Sequence, residues 1–176
     1  QRQMCIRDSP YSRAPEIGSR PHAIFVTAMD TSPLAFDPML LINEQLQSFN
    51  DVLAILSTLS PKTFVCHHGD AHLTPVTTTA TNNVTEYHSF AGKHPAGLAG
   101  THIHFLHPIM RGVTVWTIGY QDVVAIGKLF TTGRLYTRRM LSLAGPAVSN
   151  PHLVVTERGA DITALTKGQL AEGDNR

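Results

Sequence analysis

Residues 22–30, HAIFVTAMD, form a short apolar, β-branched run that ends in the polar turn Asp30-Thr31-Ser32-Pro33. Its composition reads as a buried strand. Asp37-Pro38 then supplies an N-cap followed by proline at the first helical position. Apolar residues recur behind it at Ile42, Leu46, Phe49, Leu53 and Leu56, at spacings of four and three. This predicts one long amphipathic helix, ended near Ser60-Pro61, and residues 62–66, KTFVC, give a second strand. A strand, a crossover helix and a second strand in this order pair in parallel with a right-handed connection. The chain is therefore constrained to an α/β class from its first sixty residues.

The remainder continues the alternation. Residues 69–83 are polar and threonine-rich and read as a surface connection, and residues 85–90, TEYHSF, alternate like a strand with one wet face. Residues 113–118 are a further strand candidate, residues 122–132 a helix stopped by Gly133, and residues 140–143 one more short strand. Gly145-Pro146 marks a boundary, after which residues 153–156 and 161–165 read as the opening strand and short helix of a separate small unit. The expected division is a non-native, adapter-derived leader at 1–9, QRQMCIRDS, an α/β domain at 10–143, and the start of a second module at 144–176. On this reading the chain is an internal fragment of a longer protein.

Composition narrows the function classes. A chain of 176 residues can hold a full domain core. Its 15% charged content is low, which points to surface meant for burial against partners. The formal net charge is +1 and only Arg138 and Arg139 are adjacent among the lysines and arginines, so no electrostatic footprint for nucleic acid is present. No apolar run reaches the eighteen or so residues of a membrane-spanning helix. Cys5 and Cys66 cannot make a disulfide framework, which favours a reducing cytoplasm.

The residues that could carry chemistry are mostly histidines: His67, His68, His72, His94, His102, His104 and His107. His104 and His107 could share a helical face, and His102 and His104 a strand face, but not both at once. Without HExxH, paired CxxC or an acidic partner at a familiar spacing, no metal site is expected. No GxSxG elbow exists, and Cys66 at the end of an apolar strand reads as a buried small hydrophobe. The turn after the first strand carries no glycine, so a GxGxxG dinucleotide site is absent there. The turn at residues 94–100, HPAGLAG, has glycines three apart and reads either as a tight turn into a helix or as a binding turn. Asp122 reads as a helix cap rather than a base, and no close pair of carboxylates is visible. No catalytic residue is expected.

Four segments carry a resemblance to a known family: AIFVTAMDTSPLA at 23–35, HPAGLAGTHIHFLHP at 94–108, GYQDVVAIGKLFTTGRLYTRR at 119–139 and LAGPAVSNP at 143–151. In these the chain resembles the NqrA family, one of the subunits of the bacterial Na+-translocating NADH:quinone oxidoreductase. The resemblance implies a Rossmann-like parallel sheet akin to the flavin subunit of complex I, followed by the truncated start of a β-grasp module of SLBB type. It also implies a peripheral, quinone-associated subunit on the cytoplasmic face of the inner membrane, working with five other subunits that pass electrons from NADH to ubiquinone and export sodium. In this family FMN, FAD, riboflavin and iron-sulfur centres belong to other subunits, and no cofactor is expected here. Complex I and Rnf relatives place an acidic pair after the glycine turn, whereas this chain reads Gly97-Leu98-Ala99-Gly100. The quinone-contact candidates are His94, Gly97, His102, His104 and Tyr120. The rival readings are an FMN- and NADH-binding module of complex I or Rnf type and a histidine-ligated metal hydrolase.

Overall fold

The structure, a computed structural model, describes residues 6–9, 13–71, 73, 75, 83–171 and 173. Its centre is a five-stranded sheet made of β1 (Ile6–Ser9), β2 (Ala23–Ala28), β3 (Lys62–His68), β4 (Val84–Phe90) and β5 (Val115–Gly119), in the order β1-β5-β2-β3-β4. The four strands from β5 to β4 are parallel, and β1 lies antiparallel on the outer side of β5. The first crossover occurs as expected, with Ile24 opposite Thr63 and Ala28 opposite His67. Both central strands are buried on their two faces, which explains why β2 reads as continuous hydrocarbon rather than as alternation.

One face of the sheet is covered by α1 (Met39–Glu44), α2 (Leu46–Leu59) and α4 (Tyr120–Thr132). Here Ile24, Val26, Val65, Trp116 and Ile118 pack with Ile42, Phe49, Val52, Leu53, Leu56, Val123 and Val124. Helices α2 and α4 approach until an added Cβ on Gly127 would lie 2.2 Å from the Ser48 carbonyl oxygen, so only glycine fits the crossing. The other face is covered by α3 (Ala99–Leu106), with Phe25, Phe64, Cys66 and Val115 against Ile103 and, at the margin, Phe90 and Leu106.

Three expectations change. The helix predicted from Pro38 to Ser60 is two helices, interrupted at Gln45 (φ −120°, ψ 30°), whose N–H donates to both Leu41 and Ile42 carbonyls. Periodicity survives because the break costs no residue, and Ser48 on α2 meets Gly127. Residues 6–9 were expected to form no element, yet they pair along β5 from Ile6 opposite Ile118 to Ser9 opposite Val115. An edge strand of four residues rests on backbone pairing and leaves little apolar signal. The strand expected at 140–143 is β6 (Arg138–Leu143), and it pairs antiparallel with β7 (His152–Glu157) in a separate two-stranded sheet. The change from the five-stranded to the two-stranded sheet thus falls between β5 and β6. Helix α5 (Ile162–Thr166) follows, its first turn capped by the Asp161 carboxylate, which accepts from the Thr163 N–H.

Candidate functional site

In an open parallel sheet, ligands bind beyond the carboxyl ends of the strands, at the point where the winding reverses. Here the chain runs from β2 to β3 and β4 on one side and returns to β5 on the other, so the reversal lies between β2 and β5. Three segments meet there: the turn after β2, the glycine turn before α3, and the first turn of α4. The β2 turn is shaped by the Asp30 carboxylate, which accepts from the Ser32 N–H at 2.8 Å, and by Leu34 with φ of 65°.

Thr31 joins the first two segments. Its hydroxyl oxygen accepts from the buried Gly97 N–H at 2.8 Å and lies 3.4 Å from His94 Nδ1. A Cβ on Gly97 would stand 2.8 Å from both the Thr31 nitrogen and its hydroxyl oxygen, so this glycine serves close approach between chain segments. His102, on the first turn of α3, is fully buried, with Nε2 2.9 Å from the Ala96 carbonyl. A carbonyl only accepts, so Nε2 carries the proton and donates, leaving Nδ1 buried without a partner. The ring packs against Phe90 in a tilted contact at 4.4 Å, and burial pushes its pKa below the usual histidine value. His102 thus props the glycine turn from beneath. His94 is exposed at the rim, and His104 is exposed on α3, edge-on to Phe105 at 5.1 Å.

Tyr120 opens α4 on the other side of the β2 turn. It is 9% exposed and its ring meets Phe36 edge-on at 6.0 Å. Burial pushes its hydroxyl up to about 12, helped by the carboxylates of Asp30 and Asp37, so it stays a neutral donor at physiological pH. An open crevice of about 270 Å³ lies beside it, lined by Asp30, Gly119, Tyr120, Gln121, Asp122, Arg139 and Arg158. Asp122 was expected as a helix cap. The cap position is instead Gly119, and the Asp122 carboxylate in the first turn is paired with Arg139.

The five sequence candidates therefore divide. His94 and Gly97 share the Thr31 contact, His102 supports them from the interior, Tyr120 flanks the same β2 turn from the α4 side, and His104 stands on the exposed face of α3. Sequence reasoning missed Thr31, Gln121 and Arg139. The adjacent pair Arg138-Arg139 was the only available signal for the last. Cys66 is wholly buried and its thiol is raised to about 12, which suits a packed hydrophobe and not a nucleophile. Among the described residues no three His, Cys, Asp or Glu side chains gather as metal ligands. His72 lies outside the described residues. No helix among them is long and apolar enough to cross a membrane.

Comparison with known proteins places these segments in a family. Residues 3–135 match the NqrA second alpha/beta domain, and residues 140–176 match the NqrA C-terminal domain. Curated relatives named as the NqrA component of Na(+)-translocating NADH-quinone reductase are similar over 97% of the chain. They are 54% identical in Saccharophagus degradans, 53% in Serratia proteamaculans and 51% in Photorhabdus laumondii. The chain spans 37–38% of the length of these relatives. The join between the two matched regions, at residues 136–139, coincides with the change of sheet at β6. With both units matched in order and most of the chain covered, this protein belongs to the NqrA family.

Proposed function

We propose that this chain is the central part of a quinone-associated subunit of a sodium-pumping NADH:quinone oxidoreductase. It sits peripherally on the cytoplasmic face of the membrane and docks with five partner subunits. It holds no flavin of its own, and the flavins and iron-sulfur centres that carry electrons from NADH to ubiquinone reside on the partners.

The observation that carries this reading is the Thr31–Gly97 contact in a member of the NqrA family. A glycine turn that cradles a cofactor offers its backbone N–H groups to phosphate or ribityl oxygens. In this turn the Gly97 N–H is given to Thr31, the space above Gly97 is filled by the same residue, and residues 98–100 bring no carboxylate. The scaffold is kept and its cofactor contact is used to hold two chain segments together. What faces outward is imidazole, His94 beside the glycine turn and His104 on the exposed face of α3, with Gly97 and His102 buried under the turn and Tyr120 flanking the β2 turn from the α4 side. An imidazole N–H so placed can donate to a quinone carbonyl while apolar neighbours cover the ring.

In the assembled reductase, His94→Ala and His104→Ala should each raise the KM for a soluble ubiquinone analogue severalfold while leaving NADH oxidation by an artificial acceptor unchanged. Wild-type quinone kinetics in both variants would remove these imidazoles from quinone contact. His102→Ala is a poorer probe, because its ring is a wall of the turn.

A further inference from the structure

Strand β6 is bound on its two edges by different partners. One edge pairs with β7, in a ribbon where Met140 stands opposite Val155. In an antiparallel ribbon alternate residues turn their N–H and C=O outward, away from the partner strand. Those of Met140 are taken by a side chain: the Met140 N–H donates to Gln121 Oε1 at 3.0 Å, and Gln121 Nε2 donates to the Met140 carbonyl at 3.0 Å. The carboxamide of Gln121 thus replaces one residue of a neighbouring strand. Beside it, Arg139 Nη1 donates to the Gln121 carbonyl at 3.0 Å and Nη2 pairs with the Asp122 carboxylate. The Arg139 and Asp122 side chains are only 15% and 22% exposed.

These contacts join two units that are otherwise connected by residues 134–137. That segment follows the left-handed Gly133, and Arg134, Leu135 and Thr137 within it are exposed. Tyr136 and Met140 add partly buried apolar contact with the core of the first unit. The crevice beyond β2 and β5 is walled on one side by Asp30, Gly119 and Tyr120 and on the other by Arg139 and Arg158. Interfaces that are small and mainly polar permit relative motion of the units they join.

We propose that Gln121, Asp122 and Arg139 form a releasable latch, which holds the β6–β7 unit beside the ends of β2 and β5 as one wall of the crevice. With the latch made, Arg139 neutralises Asp122 at the mouth of α4 and the Gln121 amide completes the edge of β6. With it open, residues 134–137 act as the hinge and the crevice loses the wall made by Arg139 and Arg158.

The test uses the full-length protein, and its readout is the rate at which trypsin cuts after Arg134 and Arg138, because cleavage of a hinge follows the population of the open form. Asp122→Asn and Arg139→Gln should each speed cleavage about 10-fold, as expected for loss of a partly buried charged hydrogen bond. The double variant should be no faster than the quicker single one, since both remove the same contact. Arg139→Lys should restore part of the protection. Native cleavage rates in both single variants would overturn the latch, and so would independent, multiplying effects in the double variant. Hydrogen exchange provides the second readout: β2 and β3 amides should stay as protected as in the parent. Faster exchange there would make the cluster part of the first unit's core and equally overturn the proposal.

Discussion

The sheet has two covered faces, and they are closed in different ways. Under α2 and α4 the layer is made of interlocking aliphatic and aromatic side chains on helices of fourteen and thirteen residues, brought to backbone contact at Gly127 and Ser48. Under α3, a helix of eight residues does the same task with help from imidazoles: His102 packs tilted against Phe90, and Phe64 has His88 at 5.7 Å and His107 at 6.3 Å. Two ring nitrogens on that side, His102 Nδ1 and His107 Nε2, are buried without a hydrogen-bond partner, as is Trp116 Nε1 under the longer helices. Such groups carry a desolvation cost that hydrocarbon does not. The thick face holds the fold together. The thin face carries the glycine turn, and with fewer buried apolar side chains over it we expect local opening to reach it first.

The contrast can be broken most sharply at Gly127. Replacing Gly127 by Ala ought to favour an isolated helix by nearly 1 kcal/mol. In this crossing the new methyl would meet the Ser48 backbone, and a net loss of about 2–4 kcal/mol in urea unfolding is expected. A stabilised variant would show that the two helices do not approach so closely. On the thin face, Thr31→Val keeps the shape of the side chain but removes the acceptor of the Gly97 N–H. That should cost about 1–2 kcal/mol, with hydrogen exchange rising in residues 94–100 and not in α2. Uniform exchange in both places would mean that the faces open together.

The smallest effect concerns acidity. His102 has its pKa lowered by burial, so the unfolded chain takes up the proton first as pH falls. Stability from this residue is therefore complete above the ordinary value of 6.5 and declines below it until the folded pKa is reached, where the loss levels off. Titrating unfolding free energy from pH 8 to pH 5, His102→Phe should flatten the slope relative to the parent. A slope that the substitution leaves unchanged would assign the acid sensitivity elsewhere.

Much of the thick face was legible from residue order. The apolar run of β2, the spacing of Ile42, Phe49, Leu53 and Leu56, and the glycine stop at Gly133 are local signals, and each describes the element it belongs to. The break at Gln45 was hidden because an interruption at a single residue leaves the periodicity intact. The pairing of β6 with β7 was hidden because strand propensity does not say which partner a strand will take. The candidate site was legible as a neighbourhood and not as an arrangement. Chain proximity grouped His94, Gly97, His102 and His104, but helix α3 sends His102 inward and His104 outward. Thr31 lies 66 residues from Gly97 and nothing in its own surroundings marks it. The same holds for Gln121, whose role depends on a strand nineteen residues later.

The short antiparallel strand β1 has a consequence for how the molecule meets others. By lying along β5 it takes up the row of hydrogen-bonding groups that a parallel sheet would otherwise present on that flank. The outer margin at the opposite flank is β4, a seven-residue strand on which His88 Nε2 lies 2.9 Å from the Glu86 carboxylate. A neighbouring polypeptide that extends this sheet beside β4 must arrive past that carboxylate and imidazole, whereas on the opposite flank it meets the four-residue β1 and not the parallel strand β5.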